Sequence, residues 1–289
     1  MRRRFRYPYR LIAAAGLATG LAMFAGLSAP AFAAGLPRIA SMNVCTDQLL
    51  LPLADPEQIL GLSRYARDAA QSWAASDARR YAGLSGGAED VLVLKPDVVV
   101  ASSFDKRSTR ELLKAQGLHV VEFSVPRNLD EVKAQIRQMG EITGHPDRAA
   151  TEIARLDAAM ARARRAVLEK HTSVLPLSRR GWVSGRDSLV SALLAETGLF
   201  NAADALGIGA GGFASLEQIV QARPDFLLVS EDGDRAEDEG RAFLLHPALE
   251  RFYPLAKRIV IPERLTVCGG VMQADALDAL VRELQRVKR

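Results

Sequence analysis

Continuous apolar runs and helical spacings alternate along this chain. The runs Val98–Ala101 and Phe226–Val229 are uninterrupted, and each follows a Pro-Asp pair. A run of this kind is typical of a strand buried on both faces of a parallel sheet. Segments between the runs have the spacing of helices that cover such sheets. The pattern predicts an α/β fold, with further helices over 109–116 and 247–255 and further strands over 120–125 and 258–261.

The pattern occurs twice. Residues 89–102 match residues 217–230 without a gap at an offset of 128, and a glycine pair precedes each copy. Each copy predicts a short helix, a Pro-Asp stop and a buried strand. A weaker match pairs residues 38–42 with residues 181–185, each predicted as a strand that leads through a polar loop into a helix. The repeat predicts two α/β lobes with parallel sheets.

A long amphipathic segment lies between the copies. It begins at Pro146, runs to about Lys170 and has apolar residues every three or four positions. Proline suits the first turn of a helix, and 25 helical residues span roughly 37 Å. We expect one rigid helix to link the lobes. The predicted organisation is a signal peptide over 1–33, a first lobe over 34–145, the linking helix over 146–171 and a second lobe over 172–289.

The first 33 residues have the composition of a secretory signal. They contain five arginines and no acid, an apolar stretch from Leu11 to Leu27, and the small-x-small site Ala31-Phe32-Ala33. These features predict a cleaved signal peptide, with cleavage after Ala33, and a periplasmic protein without stable membrane insertion. The formal charge of +4 falls to about −1 once the five arginines are removed. Nucleic acid is therefore not an expected partner.

Two motif matches fail on context. Gly83–Gly87 has the G-x-S-x-G spacing, but the preceding residues 76–82 are polar and predict no strand. Gly207–Gly212 has the spacing of a dinucleotide fingerprint, again without a preceding strand, and is predicted to be a flexible rim loop. The four histidines are scattered. We expect no catalytic residue, no metal site and no enzyme; a periplasmic hydrolase that uses Ser85 is the alternative.

The lobes and the linking helix resemble the periplasmic binding proteins that supply ABC importers with iron chelates or cobalamin. The resemblance rests on Arg38-Ile-Ala-Ser-Met, on Leu92-Val-Leu-Lys-Pro-Asp-Val-Val-Val, on residues 112–121 and on Pro224-Asp. It implies a monomer that binds a metal chelate in the cleft between the lobes, without a cofactor of its own. It also implies delivery of the ligand to the permease dimer of an importer.

Open α/β sheets bind ligands at the carboxyl ends of their strands, and this rule selects the candidate ligand-binding residues. They are Asn43, Cys45, Arg64, Tyr65, Phe104 and Lys106 in lobe one, and Arg186, Glu231 and Cys268 in lobe two. Tyr65 and Phe104 are expected to stack on a chelator ring, and the three cations to neutralise an anionic ligand. The cations favour a ferric siderophore, ahead of a corrinoid and then heme.

Cys45 and Cys268 are the two cysteines of the chain, one in each lobe. An oxidising compartment favours a disulfide, but a bridge would clamp the lobes and obstruct the cleft. Two free cleft thiols remain the alternative. The resemblance to cobalamin-binding proteins implies a disulfide within the second lobe, and this sequence departs from that pattern.

Glu89 and Glu217 occupy the same position in the two copies. The same resemblance implies that they form salt bridges with arginines of the permease. The alternative is that each acid stabilises the N-terminus of its own helix, by about 0.3–1 kcal/mol.

Overall fold

Two parallel β-sheets form the framework of the protein, in a computed structural model that describes residues 35–166, 172–230 and 242–287. The first sheet contains β1 (Ile39–Ser41), β2 (Ile59–Ser63), β3 (Gly83–Leu84), β4 (Val98–Ser102) and β5 (His119–Phe123). Its strand order is β3-β2-β1-β4-β5, and all neighbours are parallel. The α/β fold predicted from the sequence is confirmed.

The second sheet repeats this order. It contains β6 (Ser173–Pro176), β8 (Phe200–Asn201), β10 (Phe226–Val229) and β11 (Arg258–Val260), in the order β11-β10-β6-β8. All of its neighbouring strands are parallel. Two further strands, β7 (Trp182–Ser184) and β9 (Gly211–Phe213), form a separate antiparallel pair.

Helices connect the strands, and most of the sequence predictions agree with them to within a few residues. In lobe one they are α1 (Val44–Leu53), α2 (Ala75–Ala78), α3 (Ala88–Leu94), α4 (Arg107–Ala115) and α5 (Leu129–Thr143). They continue with α6 (Pro146–Arg165), α7 (Leu189–Glu196), α8 (Leu216–Ala222), α9 (Pro247–Phe252) and α10 (Gln273–Val287). Among the described residues, no helix is both long and apolar enough to cross a membrane.

The 128-residue repeat is also present in the backbone geometry. Helices α3 and α8 end at Lys95 and Arg223, which both adopt left-handed backbone angles with φ of 48°. The aspartates that follow make the same contact: Asp97 accepts from the backbone N–H of Arg38, and Asp225 from that of Ser173, each at 2.7 Å. Each aspartate therefore fixes the start of the neighbouring strand.

This contact corrects the weaker sequence match. The counterpart of β1 is β6, which begins at Ser173, and not the segment over residues 181–185. That segment does form strand β7, but β7 pairs antiparallel with β9 outside the main sheet. A 3₁₀ turn over Arg179–Gly181, in which Arg180 has a φ of 59°, separates β7 from β6. The extra segment is an insertion relative to lobe one.

The linking helix is shorter than predicted. Helix α6 begins at Pro146 but ends at Arg165, and residues 167–171 lie outside the described residues. Its buried face packs against α5 on one side and α10 on the other. Arg155 donates to the carbonyl of Val271 at 2.6 Å, and Arg162 forms two hydrogen bonds with Asp278. The predicted lobe boundaries stay a prediction, and the predicted signal peptide lies outside the described residues.

One apolar cluster passes through the whole fold. It includes Leu50 of α1, Ile136 of α5, Leu156 of α6 and Leu277 of α10, all fully buried. Burial of side chains of this size is the main source of folding free energy. The helix between the sheets is therefore part of the core.

Candidate functional site

Loops at the carboxyl ends of β1, β2 and β4 lie together on lobe one. Asn43 is the N-cap of α1, and its side-chain oxygen accepts from the backbone N–H of Cys45 at 2.9 Å. Its side-chain amide donates to Asp105 at 3.0 Å, and Asp105 in turn accepts from the backbone N–H of Ser102 at 2.7 Å. These hydrogen bonds hold the loop after β1 against the loop after β4.

The loops enclose a hollow of about 600 Å³. Its lining includes Arg64, Tyr65, Glu89, Phe104, Asp105 and Lys106. Phe104 is 80% exposed and Tyr65 is 41% exposed, so both rings are open to a ligand. The structure thus brings together four predicted ligand-binding residues of lobe one.

Arg64 and Tyr65 form a pair inside this hollow. The Arg64 guanidinium donates to the Tyr65 hydroxyl at 2.6 Å and lies 4.7 Å from the centre of the same ring. Within the described part of the chain, no carboxylate lies within ion-pair distance of Arg64 or of Lys106. Both cations are therefore available to an anionic ligand.

A second hollow, of about 360 Å³, lies at the carboxyl ends of β6 and β10 on lobe two. Trp182, Thr266 and Val267 contribute to its lining. Trp182 is 40% exposed and packs edge-to-face on Phe213, with ring centres 5.1 Å apart. A Cβ atom on Gly211 would lie 2.5 Å from the Trp182 ring, so this position requires glycine.

Trp182 was not among the residues selected from the sequence. The sequence predicts its segment as a strand equivalent to β1 that leads into a polar loop, and this prediction assigns no role to the tryptophan. The available signal was a bulky aromatic residue directly after a glycine and before a Ser-Gly loop.

A disulfide joins Cys45 to Cys268, with the Cα atoms 5.2 Å apart. It connects the first turn of α1 in lobe one to the segment between β11 and α10 in lobe two. The alternative of two free thiols is not what the structure shows. A third cavity, of about 240 Å³, lies beside the bridge and shares Phe104 with the hollow of about 600 Å³ on lobe one, called the large hollow below. Asn43, Cys45 and Cys268 line this cavity, so the disulfide forms a wall of the cleft without filling it.

Two predicted site residues are not brought to these cavities. Arg186 lines none of the three; its guanidinium lies 2.6 Å from a carboxylate oxygen of Asp204 and 3.8 Å from one of Asp187. The hydrogen bond to Asp204 raises the pKa of Arg186. Glu231 lies outside the described residues. A role in ligand binding stays a prediction for both.

The glycine-rich segment 207–212 is not the flexible loop that was predicted. The backbone of residues 185–187 donates three hydrogen bonds, of 3.0 to 3.3 Å, to the carbonyls of residues 208–210. A Cβ on Gly185 would lie 1.9 Å from the Gly209 carbonyl oxygen, so glycine permits this close approach. The segment supports the loop that leads into α7.

Glu89 and Glu217 are exposed and lie in the first turns of α3 and α8. Glu89 borders the large hollow of lobe one. Glu217 borders a separate groove between α8 and α9, and a hydrogen bond from Ser215 lowers its pKa. The repeat thus places one exposed acid at the start of the same helix in each lobe.

Ser85 lies in a hydrogen-bonded turn. Its hydroxyl accepts from the backbone N–H of Gly87 at 3.2 Å, and its own N–H donates to Asp90 at 2.7 Å. These contacts form a turn between the two-residue strand β3 and α3. Among the described residues, no group of three or more histidines, cysteines and acids is placed to hold a metal ion.

Two concave surfaces lie at the carboxyl ends of the parallel sheets, which is where open α/β sheets bind small molecules, and a helix and a disulfide connect the two lobes. The model of the periplasmic binding protein family matches residues 39–261. The chain belongs to this family, whose members are periplasmic binding proteins and not enzymes. The hydrolase alternative is therefore not supported.

Relatives in sequence and in structure agree with this assignment. A cobalamin-binding protein from Halobacterium salinarum is 24% identical over 224 residues, which cover 74% of this chain and 59% of that protein. The periplasmic heme-binding protein RhuT from Roseiflexus sp. RS-1, in its apo form, has a TM-score of 0.72 and 24% identity, covering 88% of this chain and all of RhuT. The periplasmic heme-binding protein HutB of Vibrio cholerae has a TM-score of 0.69 and 20% identity, covering 86% of this chain and 98% of HutB.

Proposed function

We propose that this protein captures an anionic metal chelate between its two hollows and delivers it to an ABC importer. The observation that carries the proposal is the pair of cations beside the exposed ring of Phe104, Arg64 and Lys106, which have no carboxylate partner in the described part of the chain. An aromatic face and two cations suit a chelator that has both flat rings and acidic groups. A ferric siderophore has this chemistry, whereas a corrinoid has little net charge.

Trp182 extends the proposed site onto lobe two. It is an exposed aromatic side chain held at a fixed angle by Phe213 and Gly211. A rigid ring loses little entropy when a ligand stacks on it. We assign to Trp182 the face of the ligand opposite to Phe104.

Purified mature protein tests this proposal directly. We expect visible absorption from a chelate carried through purification, the native mass of a monomer, and binding in titrations with a ferric siderophore panel, cyanocobalamin and hemin. Arg64→Ala combined with Lys106→Ala should weaken binding of an anionic chelate by tenfold or more. Arg251→Ala combined with Lys257→Ala, at two exposed cations outside the hollows, removes the same charge and should bind normally. A double variant with unchanged affinity for every anionic chelate contradicts the proposal.

Heme is the second candidate, and one contact favours it. The Tyr65 hydroxyl lies in the large hollow with the Arg64 guanidinium 2.6 Å away, and a phenol oxygen beside a cation can ligate ferric iron. RhuT and HutB, by their names, bind heme. Hemin bound through Tyr65 should show the charge-transfer band of a tyrosine-ligated ferric heme, and Tyr65→Phe should abolish that band. Hemin binding with the same spectrum in Tyr65→Phe would exclude tyrosine ligation.

We also propose that Glu89 and Glu217 dock the protein on the two equivalent subunits of a permease dimer. An exposed acid at the same place in each lobe matches a two-fold partner, and such rim charges set the register of a complex. Changing both to Lys should sharply reduce transport. Because Glu89 also lines the lobe-one hollow, ligand affinity in solution is measured in parallel, and a loss of transport larger than any loss of binding supports docking. Asp130 and Asp147, exposed acids in the first turns of α5 and α6, are matched controls for the helix-dipole alternative. Equal loss of transport in the Asp130→Lys/Asp147→Lys variant would refute docking.

The predicted signal peptide completes the proposal. Export followed by cleavage after Ala33 gives a mature chain that begins at Ala34. N-terminal sequencing of protein from a periplasmic extract should read Ala-Gly-Leu-Pro. Any other start, or a full-length chain in the membrane fraction, would contradict the predicted processing.

A further inference from the structure

A carboxyl group is buried directly behind the lobe-one hollow. Asp47 lies in the first turn of α1 and is fully buried. Its carboxylate accepts from the backbone N–H of Ser63 at 3.1 Å and from the Ser63 hydroxyl at 2.6 Å. Ser63 is the last residue of β2 and is followed at once by Arg64 and Tyr65. One side of Asp47 therefore holds the start of the Arg64–Tyr65 loop.

The other side of Asp47 connects to the loop that contains Asn43. The Ser41 hydroxyl lies 2.8 Å from the Thr46 hydroxyl and 3.5 Å from the Asn43 carbonyl oxygen, and its interaction with Asp47 lowers the pKa of that carboxyl group. The Thr46 hydroxyl lies 2.9 Å from the carbonyl oxygen of Asn43. Ser41, Thr46 and Asp47 are all fully buried, so water does not replace these bonds.

Each hydroxyl in this chain has a single proton, and this fixes the direction of the bonds. If Asp47 is ionised, Ser41 donates to it, Thr46 donates to Ser41, and no proton remains for the Asn43 carbonyl. If Asp47 is protonated and Ser63 remains a donor to it, then Asp47 donates to Ser41, Ser41 donates to Thr46, and Thr46 donates to the Asn43 carbonyl. The protonation state of Asp47 thus decides whether that carbonyl has a hydroxyl donor.

We propose that Asp47 is a positioning residue whose proton couples the Asn43 loop to the Arg64–Tyr65 loop through this hydroxyl chain. Asn43 is the residue that also binds Asp105 and caps α1 beside Cys45. A change at its carbonyl therefore acts on the hollow and on the start of the disulfide-linked helix.

The surroundings of Asp47 place its change of protonation state near neutral pH. Burial raises the pKa of Asp47 to about 7, with hydrogen bonds from Ser41 and Ser63 opposing the increase and the charge of Asp105 adding to it. From α6, Arg148 reaches only the opposite end of α1, where it binds the Leu53 carbonyl and Asp55. From α5, Lys133 is paired with Asp157. The pH of the periplasm follows that of the medium, so both states of Asp47 are accessible there.

Coupling to the ligand rests on the proposed function. An anionic ligand in the hollow adds to the effect of Asp105 and favours the protonated form of Asp47. Binding then takes up a proton, so by linkage the affinity for an anionic chelate should increase as the pH falls from 8 to 6. Up to one proton per ligand gives at most a tenfold change in affinity per pH unit.

The test reads the protein without a ligand, so its outcome does not depend on the proposed function. Backbone amide NMR signals of Ser63 and Asn43 should titrate together with a midpoint near pH 7 in the wild-type chain. In Asp47→Asn they should remain fixed near their low-pH positions. His145→Gln controls for the imidazole beside Asp55, at the far end of α1, and should leave the midpoint unchanged. Absence of a common titration between pH 6 and 8 in the wild-type chain, or its persistence in Asp47→Asn, overturns the proposal.

A second variant separates the hydroxyl chain from a simple effect of burial. Thr46→Val removes the last hydroxyl with almost no change in volume. It should abolish the titration of the Asn43 amide and preserve that of Ser63. Thr143→Val, at another buried threonine of lobe one, is the matched control and should preserve both. An Asn43 amide that still titrates in Thr46→Val refutes the coupling. If Asp47→Asn fails to fold, the wild-type titration and Thr46→Val still decide the matter.

Discussion

The disulfide between Cys45 and Cys268 gives the sharpest test of how the lobes are held together. The two cysteines are 223 residues apart, so the bridge closes a loop that contains most of the mature chain. Replacing both with serine removes the bridge and leaves the packing of α6 as the remaining connection. We expect this variant to be folded and markedly less stable than the oxidised protein.

The size of the expected loss of stability follows from the length of the loop that the disulfide closes. In the chain-entropy treatment, a bridge that closes a loop of this size raises the free energy of unfolding by about 5 kcal/mol relative to the protein without the bridge. For a protein of more than 200 residues, that difference corresponds to roughly 10–20 °C in Tm. Strain or residual structure in the unfolded chain reduces the effect, so this value is an upper estimate.

Urea unfolding monitored by circular dichroism measures the difference. The oxidised protein, the same protein in excess dithiothreitol and the Cys45→Ser/Cys268→Ser variant should be compared in parallel. The reduced protein and the variant should unfold at a similar, lower urea concentration. Reductant should not change the midpoint of the variant, which is therefore the control for effects of the reagent.

Two results would refute this reasoning. Thiol titration of the unfolded, unreduced protein should detect no reactive thiols, and detection of two would show that the bridge is absent. Equal urea midpoints for the oxidised protein and the double variant would show that the bridge adds no stability.

Three further predictions concern stability, side-chain packing and lobe motion. Burial raises the pKa of Asp47 from its ordinary value of 3.8 to about 7, so the folded state retains a proton that the unfolded state loses. Stability should therefore decrease by about 4 kcal/mol as pH rises from 4 to 7 and then level off, and equal pH dependence in Asp47→Asn would contradict this. Gly211→Ala should displace the Trp182 ring, change its fluorescence and cost about 1–3 kcal/mol, whereas Gly83→Ala, at a glycine with open space around it, should not. Solution scattering with and without ligand should show only a small change in radius of gyration, because α6 and the disulfide both connect the lobes, and a large decrease would show a flexible hinge.

The sequence predicts those features that depend on short-range pattern. Strands β4 and β10 could be located from the sequence. Each follows a Pro-Asp pair that ends a helix, at Asp97 and Asp225, and each is an uninterrupted apolar run, so both features are visible in a few consecutive residues. The same signals fail at β6. Ser173–Pro176 is a short strand that ends on a proline, so the sequence does not predict it as a strand. The segment at Trp182, which does have a strand-like pattern, is predicted as the counterpart of β1 in its place.

The site was predictable only where a rule about topology applies. Arg64, Tyr65, Phe104 and Lys106 follow strands of one parallel sheet, and such loops meet at one edge. The disulfide and the burial of Asp47 depend on distances between segments that no local pattern encodes. In the sequence, Asp47 is an ordinary acid in the first turn of a helix, and only the packed fold shows that water does not reach it.

The apolar cluster that runs through α1, α5, α6 and α10 has a consequence for how the chain folds. The connecting helix α6 contributes Leu156 to this cluster and packs against α5 of the first half and α10 of the second. A fragment cut on either side of α6 would expose part of this cluster to water and lose the corresponding burial energy. We expect the two copies to unfold together because they share this cluster, although each lobe also contains a smaller apolar cluster of its own.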